Sequence, residues 1–206
     1  IGNYFDIDVS ITYSNMSQPL GEYAGLRCEI IEAINCLRGD GPDDVMELTL
    51  ELCANILIQS GTSKNKSEAK KILLKNINNG KALEKFEGMI TAQGGDLNDI
   101  YSKNKFAKYH VKIKSGKTGY IESINTEKIG WALVEMGCGK KVMNDTLDHS
   151  AGIKHNYRVG HKIYKGDTIC ELFGSNKTKL KNAKVLLTES FTTSEEKIEH
   201  EKLIIK

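Results

Sequence analysis

The stretch NMSQPLGEYAGLRCEIIEAI, residues 15–34, leads from a Pro-Leu-Gly turn directly into an amphipathic segment. Apolar side chains recur at helical spacing after the turn and Gly39 ends the pattern, which predicts a helix over residues 26–38. Two carboxylates, Glu29 and Glu32, lie three positions apart near the start of this helix. Such carboxylates can favour the helix dipole or pair with a neighbouring arginine, so their spacing alone leaves their role open.

Three more helices are predicted before residue 100. Asp44 with Glu47 three residues later has the form of a helix N-cap with a partner, and apolar spacing continues that helix to Gln59. Further helical patterns cover residues 67–78 and 82–92, and each ends at glycine.

The chain begins at Ile1, without Met, and soon shows a strand pattern. Ile7, Val9 and Ile11 occupy alternate positions of a β-branched run, which predicts a strand with one buried face. A single strand followed by helices is typical of the end of an α/β sheet domain whose other strands lie elsewhere. We therefore expect residues 1–104 to be the C-terminal part of such a domain.

The second half, residues 105–206, has the pattern of an α+β domain. Alternation over residues 108–113 and 120–124, around a glycine-containing turn, predicts a β-hairpin. A helix is predicted from Thr126 to Met136. The remaining predicted elements are strands at 162–164, 168–173 and 203–205 and a helix at 177–187.

The composition excludes several classes of protein. Hydrophobic residues make up 39% of the 206 residues, and no apolar run reaches the roughly 18 residues of a membrane span. The formal charge of +2 lacks the basic excess that accompanies nucleic-acid binding. The five cysteines are scattered without a Cys-x-x-Cys pair, which favours free thiols in a reducing compartment. We expect a cytoplasmic protein that binds neither membranes nor nucleic acid.

Several motifs follow one another in the order seen in a known enzyme family. They are MSQPLG (16–21), EIIEAI (29–34), LRGDGP (37–42), GKALEKF (80–86), AQGGD (92–96), GCGKK (137–141) and DHSAG (148–152). Together they resemble the thymidine and pyrimidine nucleoside phosphorylases. The resemblance covers essentially this whole chain, but only about the C-terminal half of a family member.

The resemblance implies a fold and a reaction. Residues 1–104 would be the tail of the central α/β domain, and residues 105–206 the C-terminal α+β domain with a barrel-sandwich-like β part. The parent would be a cytoplasmic homodimeric pentosyltransferase of nucleotide salvage. In its reaction, inorganic phosphate attacks C1′ of thymidine or another pyrimidine nucleoside and releases the base with a sugar 1-phosphate. The family's phosphate- and base-binding residues would precede Ile1, so no catalytic residue is expected here and the chain alone should be inactive.

The resemblance also implies a partial potassium site at the opening stretch. The ligands would be the backbone oxygens of Leu20 and Tyr23 and the carboxylate of Glu32, which suit a hard cation. Relatives carry small or polar residues where this chain has the segment 26–28, and Arg27 could supply positive charge in place of the ion. This departure keeps open a nucleoside 5′-monophosphate phosphorylase of the AMP type, and a non-catalytic partner or structural module is the other alternative.

A second candidate is the loop of Gly137, Gly139 and Lys140, which in the family would face the substrate cleft as the domains close. The alternative is a plain helix C-cap with solvated lysines. His149, His155 and His161 recur every six residues, a spacing that does not place them on one face of a helix or strand. We therefore expect no metal site from these histidines.

Overall fold

The protein, seen in a computed structural model that describes residues 2–102 and 106–205, has four α-helices at the predicted places in the described part of its first half. They are α1 (Arg27–Arg38), α2 (Asp43–Gln59), α3 (Lys66–Asn78) and α4 (Lys81–Ala92). Gly39 ends α1 with a φ of 89°, a left-handed conformation that glycine adopts without strain. The predicted N-cap at Asp44 is wrong. The helix already begins at Asp43, and the Oδ2 of Asp44 accepts the N–H of Gly21 at 3.1 Å.

The remaining elements agree with the sequence in part. Predicted and present are β3 (Tyr109–Lys114), β4 (Gly119–Ile124), α5 (Thr126–Met136), β6 (Lys162–Ile163), β7 (Thr168–Gly174), α6 (Lys177–Thr188) and β9 (Ile204–Ile205). Four strands were not predicted from the sequence: β1 (Tyr13–Ser14), β2 (Tyr23–Gly25), β5 (Gly152–His155) and β8 (Phe191–Ser194). These missed strands are short, so they show too few alternations to be distinguished from loop.

All strand pairs among the described residues are antiparallel. The larger sheet has the order β2-β5-β7-β3, the smaller sheet the order β6-β4-β8, and β1 pairs with β9. The fold is therefore α+β, with helices and several antiparallel sheets. Over residues 2–102 and 106–205 these sheets do not close into a barrel.

The predicted hairpin of residues 108–124 is wrong. Strand β3 pairs with β7, whereas β4 pairs with β6 and β8, so the turn between them leads from one sheet to the other. Ser115 in this turn donates its N–H to the carbonyl of Asp167 at 2.8 Å. Ile113 and Ile121 are both buried in one core. The fold thus buries side chains of β3 and β4 in the same core although the two strands belong to different sheets.

The predicted strand at Ile7, Val9 and Ile11 is also wrong. These residues are not in a strand, and their side chains are 58%, 61% and 71% exposed. An extended segment becomes a strand only when a neighbour accepts its backbone hydrogen bonds. Within the described residues, such pairing begins at Tyr13, which lies opposite Ile205.

The two predicted domains share a sheet. Strand β2, from the first half, pairs with β5 of the second half, with Tyr23 opposite Lys154 and Gly25 opposite Gly152. The predicted boundary at residue 104 lies outside the described residues. The sheet thus brings the stretch quoted at the outset directly against the C-terminal half.

The main core joins both sheets to α5 and α6. Its fully buried members include Ile121, Met136, Ile153, Leu172 and Leu187. Truncating one such leucine to alanine typically costs about 2–5 kcal/mol, because transfer energy is lost and a cavity remains. This core fixes β5 and β7, and therefore the position of the strand β2 that pairs with them.

Candidate functional site

The loop before β2 is held in a defined conformation by the residue that ends its turn. Gly21 has a φ of 73°, and a Cβ added there would collide with the Oε2 of Glu32. Only glycine fits both the left-handed backbone and this close approach. The Pro-Leu-Gly turn and the helix carboxylate are thus in direct contact.

Glu32 faces the loop from α1 and is almost fully buried, with 8% of its surface exposed. Its Oε1 accepts the backbone N–H of Glu22 at 2.8 Å and that of Tyr23 at 3.2 Å. Burial raises the pKa of the Glu32 carboxyl above its ordinary value, although these two hydrogen bonds oppose the change. Its Oε2 points to Gly21, at the end of the turn that begins with Pro19 and Leu20.

The neighbouring carboxylate has a different role. Glu29 Oε1 accepts the N–H of Gly25 at 2.6 Å, just before the first turn of α1. Neither Glu29 nor Glu32 pairs with Arg27, whose guanidinium donates to the carbonyls of Ile100 and Ser102 instead. The arginine pairing considered from the sequence is therefore replaced by hydrogen bonds from the backbone.

Contacts from the C-terminal half hold the same loop, and sequence reasoning missed all of them. Arg158 donates to the carbonyl of Gly21 and, at 3.3 Å, to Asp44 Oδ2. The N–H of Val159 donates to Gln18 Oε1 at 2.9 Å. These partners are more than 100 positions apart, and no local pattern could have signalled them.

The C-terminal segment also forms hydrogen bonds to the beginning of this loop. Glu201 Oε2 accepts hydrogen bonds from Asn15 Nδ2 and, at 3.0 Å, from Ser17 Oγ. The pairing of β9 with β1 lies next to these contacts, since Asn15 also donates its N–H to the carbonyl of Leu203 at 2.8 Å. The loop is thereby fixed from both its ends.

A polar cavity of about 970 Å³ lies between the loop and the C-terminal half. Gln18, Leu20, Asp44 and Arg158 are in its wall, and so is His200. The wall carries both acidic and basic groups, so it suits a polar, hydrated ligand better than an apolar one.

Two of the histidines considered for metal binding lie beside this cavity. His155 is 2% exposed, and burial together with Arg158 lowers its pKa to about 4, so it is neutral at pH 7. His161 is packed against the ring of His200, with centroids 5.5 Å apart. Over residues 2–102 and 106–205, no group of three or more His, Cys, Asp or Glu side chains is arranged to hold a metal ion.

The loop of Gly137, Gly139 and Lys140 ends α5. Gly137 is its C-cap with a φ of 100°, and the Nζ of Lys140 donates to the carbonyl of Met143 at 3.2 Å. None of these three is among the described residues that form the wall of the 970 Å³ cavity. Cys138, between the two glycines, donates its thiol to the carbonyl of Ala151 at 3.3 Å, and burial raises its pKa to about 12. Such a thiol is not a nucleophile at neutral pH.

Comparison with known proteins gives the family. Residues 120–194 match the family model of the pyrimidine nucleoside phosphorylase C-terminal domain. A protein of Staphylococcus epidermidis named pyrimidine-nucleoside phosphorylase is 37% identical over 179 residues, which are 86% of this chain and 41% of the relative. One of Staphylococcus aureus with the same name is 32% identical over 197 residues, or 95% of this chain and 45% of the relative.

The chain belongs to the pyrimidine nucleoside phosphorylase family. It spans less than half the length of the curated relatives named here. The match to the S. aureus phosphorylase extends over both halves of the chain, so it includes the loop and α1. None of the helices in the described part of this chain is long and apolar enough to cross a membrane.

Proposed function

We propose that this chain is part of an enzyme that catalyses phosphorolysis of pyrimidine nucleosides. Phosphate oxygen forms a bond to C1′ as the glycosidic C1′–N bond breaks, and the base leaves with the bonding electrons and takes up a proton. The similarity to two proteins named pyrimidine-nucleoside phosphorylase, over 86% and 95% of this chain, is the observation that carries the proposal. The substrates would be inorganic phosphate and thymidine or uridine, in a cytoplasmic homodimer.

The potassium site of the quoted stretch is part of this proposal. The backbone oxygens of Leu20 and Tyr23 would supply ligands together with Glu32 Oε2, because Oε1 is engaged by two N–H donors. A buried carboxylate whose pKa is raised by desolvation gains from a cation beside it. When bound, the ion would add positive charge next to bound phosphate.

The residues of this chain would act by fixing one wall of the substrate site. Asp44 accepts the N–H of Gly21 and Arg158 donates to its carbonyl, while Glu201 holds the beginning of the loop. A wall fixed before substrate arrives requires no reorganisation during the reaction. We also propose that Gly137, Gly139 and Lys140 approach the substrate cleft when the domains close, and that the two sheets are a variant of the barrel-sandwich architecture.

A chimeric enzyme tests the proposal. This chain replaces the matching 41% of the S. epidermidis relative, and base release from thymidine, uridine and AMP is measured with and without phosphate. We expect phosphate-dependent release from a pyrimidine nucleoside by the chimera and none by the 206-residue chain alone. In the chimera, Glu32→Gln should weaken activation by potassium, whereas Glu84→Gln on the exposed face of α4 should not.

The outcomes separate the alternatives. Release from AMP and not from thymidine or uridine would favour the nucleoside 5′-monophosphate phosphorylase. This candidate remains because Arg27 lies in the segment where the sequence differs from its relatives, and the side chain is buried rather than solvated. A folded chimera without activity on any of the three would favour the non-catalytic module and contradict the proposal.

A further inference from the structure

A second cavity, of about 340 Å³, lies between α1 and the larger sheet. It is on the sheet face opposite Ile153 and Leu172, which point into the main core. Tyr23, Lys154 and Glu171 lie side by side on the cavity's face, because each is paired with the next in register. In the adjacent row, Gly25 pairs with Gly152 and Gly152 pairs with Phe173. The Cys28 thiol of α1 and the Phe173 ring lie over these two glycines and form one end of the cavity.

Arg27, the first residue of α1, brings a buried cation to this cavity. It is 7% exposed, and its Cζ lies 4.3 Å from the centroid of the Phe106 ring. Its guanidinium donates to the carbonyls of Ile100 and, at 3.4 Å, of Ser102. These partners are neutral, and the Nε has no hydrogen-bond partner among the described residues. In that same part of the chain, no carboxylate forms an ion pair with this guanidinium.

A buried charge without a counter-ion is costly, so an anion that reaches this cavity would be stabilised there. When the other charged groups of the wall are included, the net charge of the cavity wall is still positive. Lys154 adds an ammonium that is 3.5 Å from Glu22 and has a side chain 40% exposed. The acidic wall residue Glu171 is engaged with His110 Nδ1 at 2.7 Å.

The rest of the wall is mostly apolar, with Asn35 and Ser150 as its uncharged polar members. Phe106, Phe173 and Tyr23 contribute rings, and Ile31 contributes an apolar side chain from α1. A cavity of this size with apolar walls and a few charged groups is typical of a site for a small organic ligand. The thiol of Cys28 also lies in the wall, but burial raises its pKa to about 12, so binding there would be non-covalent.

We propose that this cavity binds a small aromatic carboxylate. The carboxylate faces Arg27 and Lys154, and the planar ring lies against the aromatic wall. The site differs from the 970 Å³ cavity beside the Pro-Leu-Gly loop, with which it shares only Lys154 among the described residues. The inference does not depend on phosphorolysis, because it uses only the charge and shape of this cavity.

Ligand titration of the 206-residue chain, followed by the chemical shifts of its backbone amides, tests the inference. Benzoate is the probe, and benzamide is the matched control, since it has the same ring and no charge. We expect saturable benzoate shifts in α1, β5 and β7, with binding of benzamide weaker by about tenfold or more. Inorganic phosphate, which has charge but no ring, should not displace benzoate at equal concentration.

Variants locate the site. Arg27→Gln should weaken benzoate binding by about tenfold, the loss expected for a charged hydrogen bond. Because Arg27 also holds the segment that contains Ile100, Lys154→Met is a second variant, expected to weaken binding by about threefold or more with an unchanged circular dichroism spectrum. Lys162→Met on β6 is the matched control and should leave binding unchanged. Equal binding of benzoate and benzamide, absence of saturable shifts at millimolar benzoate, or equal effects of Lys154→Met and Lys162→Met would each overturn the inference.

Discussion

Arg158 donates a hydrogen bond to the carbonyl oxygen of Gly21, which lies 137 positions earlier in the chain. The same guanidinium reaches Asp44 at 3.3 Å, and Asp44 in turn accepts the N–H of Gly21. Gly21 is therefore held through both its N–H and its C=O. This arrangement makes the C-terminal half responsible for the conformation of a loop in the first half.

Replacing Arg158 should loosen the loop. Arg158→Gln removes a charged hydrogen bond from a side chain that is 17% exposed, and we expect a loss of about 2 kcal/mol in the free energy of unfolding. Amide hydrogen exchange over residues 15–23 should accelerate more than exchange in α5. Arg38→Gln is the control, because among the described residues this arginine makes only a long, exposed contact, with Tyr101 at 3.5 Å. Equal exchange changes in the two variants would contradict the role of Arg158.

Gly21 should not tolerate a side chain. Gly21→Ala combines a left-handed backbone with a collision against Glu32, and we expect a loss of about 3 kcal/mol or more in a urea titration. Gly61→Ala is the matched control, since Gly61 has a φ of 71° and, apart from its chain neighbours, no described residue has an atom within 4 Å of the added Cβ. It should lose only about 1 kcal/mol, the backbone cost alone. Similar losses for both would show that the contact with Glu32 is unimportant.

Glu32 should make stability depend on pH. Its pKa is raised in the folded state, chiefly by burial, so the stability it contributes is present at low pH and is lost as pH rises through the folded pKa. In potassium-free buffer, Glu32→Gln should therefore gain stability relative to the unmodified chain as pH rises. The measurement is the free energy of unfolding in urea at several values between about pH 4 and pH 8. Parallel curves, or a relative loss by the variant, would be inconsistent with a buried carboxylate.

His155 should make the free energy of unfolding decrease as the pH falls, which is opposite to the pH dependence expected from Glu32. Burial, with Arg158 nearby, lowers its pKa from 6.5 to about 4, so its contribution is complete above the unfolded pKa and falls as pH decreases toward the folded pKa. The full difference corresponds to about 3 kcal/mol. His155→Leu should abolish this loss of stability between pH 7 and pH 4, whereas the exposed His149→Leu should retain it. If both variants follow the unmodified chain, His155 is not the group responsible.

Local patterns were sufficient for the helices and insufficient for the sheets. Helix α1 was predicted nearly to the residue, because its apolar spacing and Gly39 act within a few positions. The hairpin of β3 and β4 was predicted wrongly, since alternation does not state which strand lies alongside. Strands β2 and β5 were missed, although they join the two halves of the chain.

The residues of the candidate site likewise include some that were selected from the sequence and others that only the fold revealed. Glu32 was selected from the sequence by its resemblance to a family motif, and the structure places it against the Pro-Leu-Gly loop. Arg158 and Glu201 were not selected, because their partners lie more than 100 positions away. Arg27 was noted as an unusual residue, but only the fold reveals that it is buried beside a cavity.

The amino-acid sequence by itself determined the helices, the turn at Gly21 and the motifs of the pyrimidine nucleoside phosphorylase family. Only the tertiary structure decided which strands pair, that Glu32 is buried, and that Arg158 and Glu201 hold the loop. The physical reason is the separation along the chain over which each interaction acts. Helix spacing and glycine turns act over a few residues, whereas strand pairing, desolvation and ion contacts depend on groups that are distant in the chain and meet only on folding.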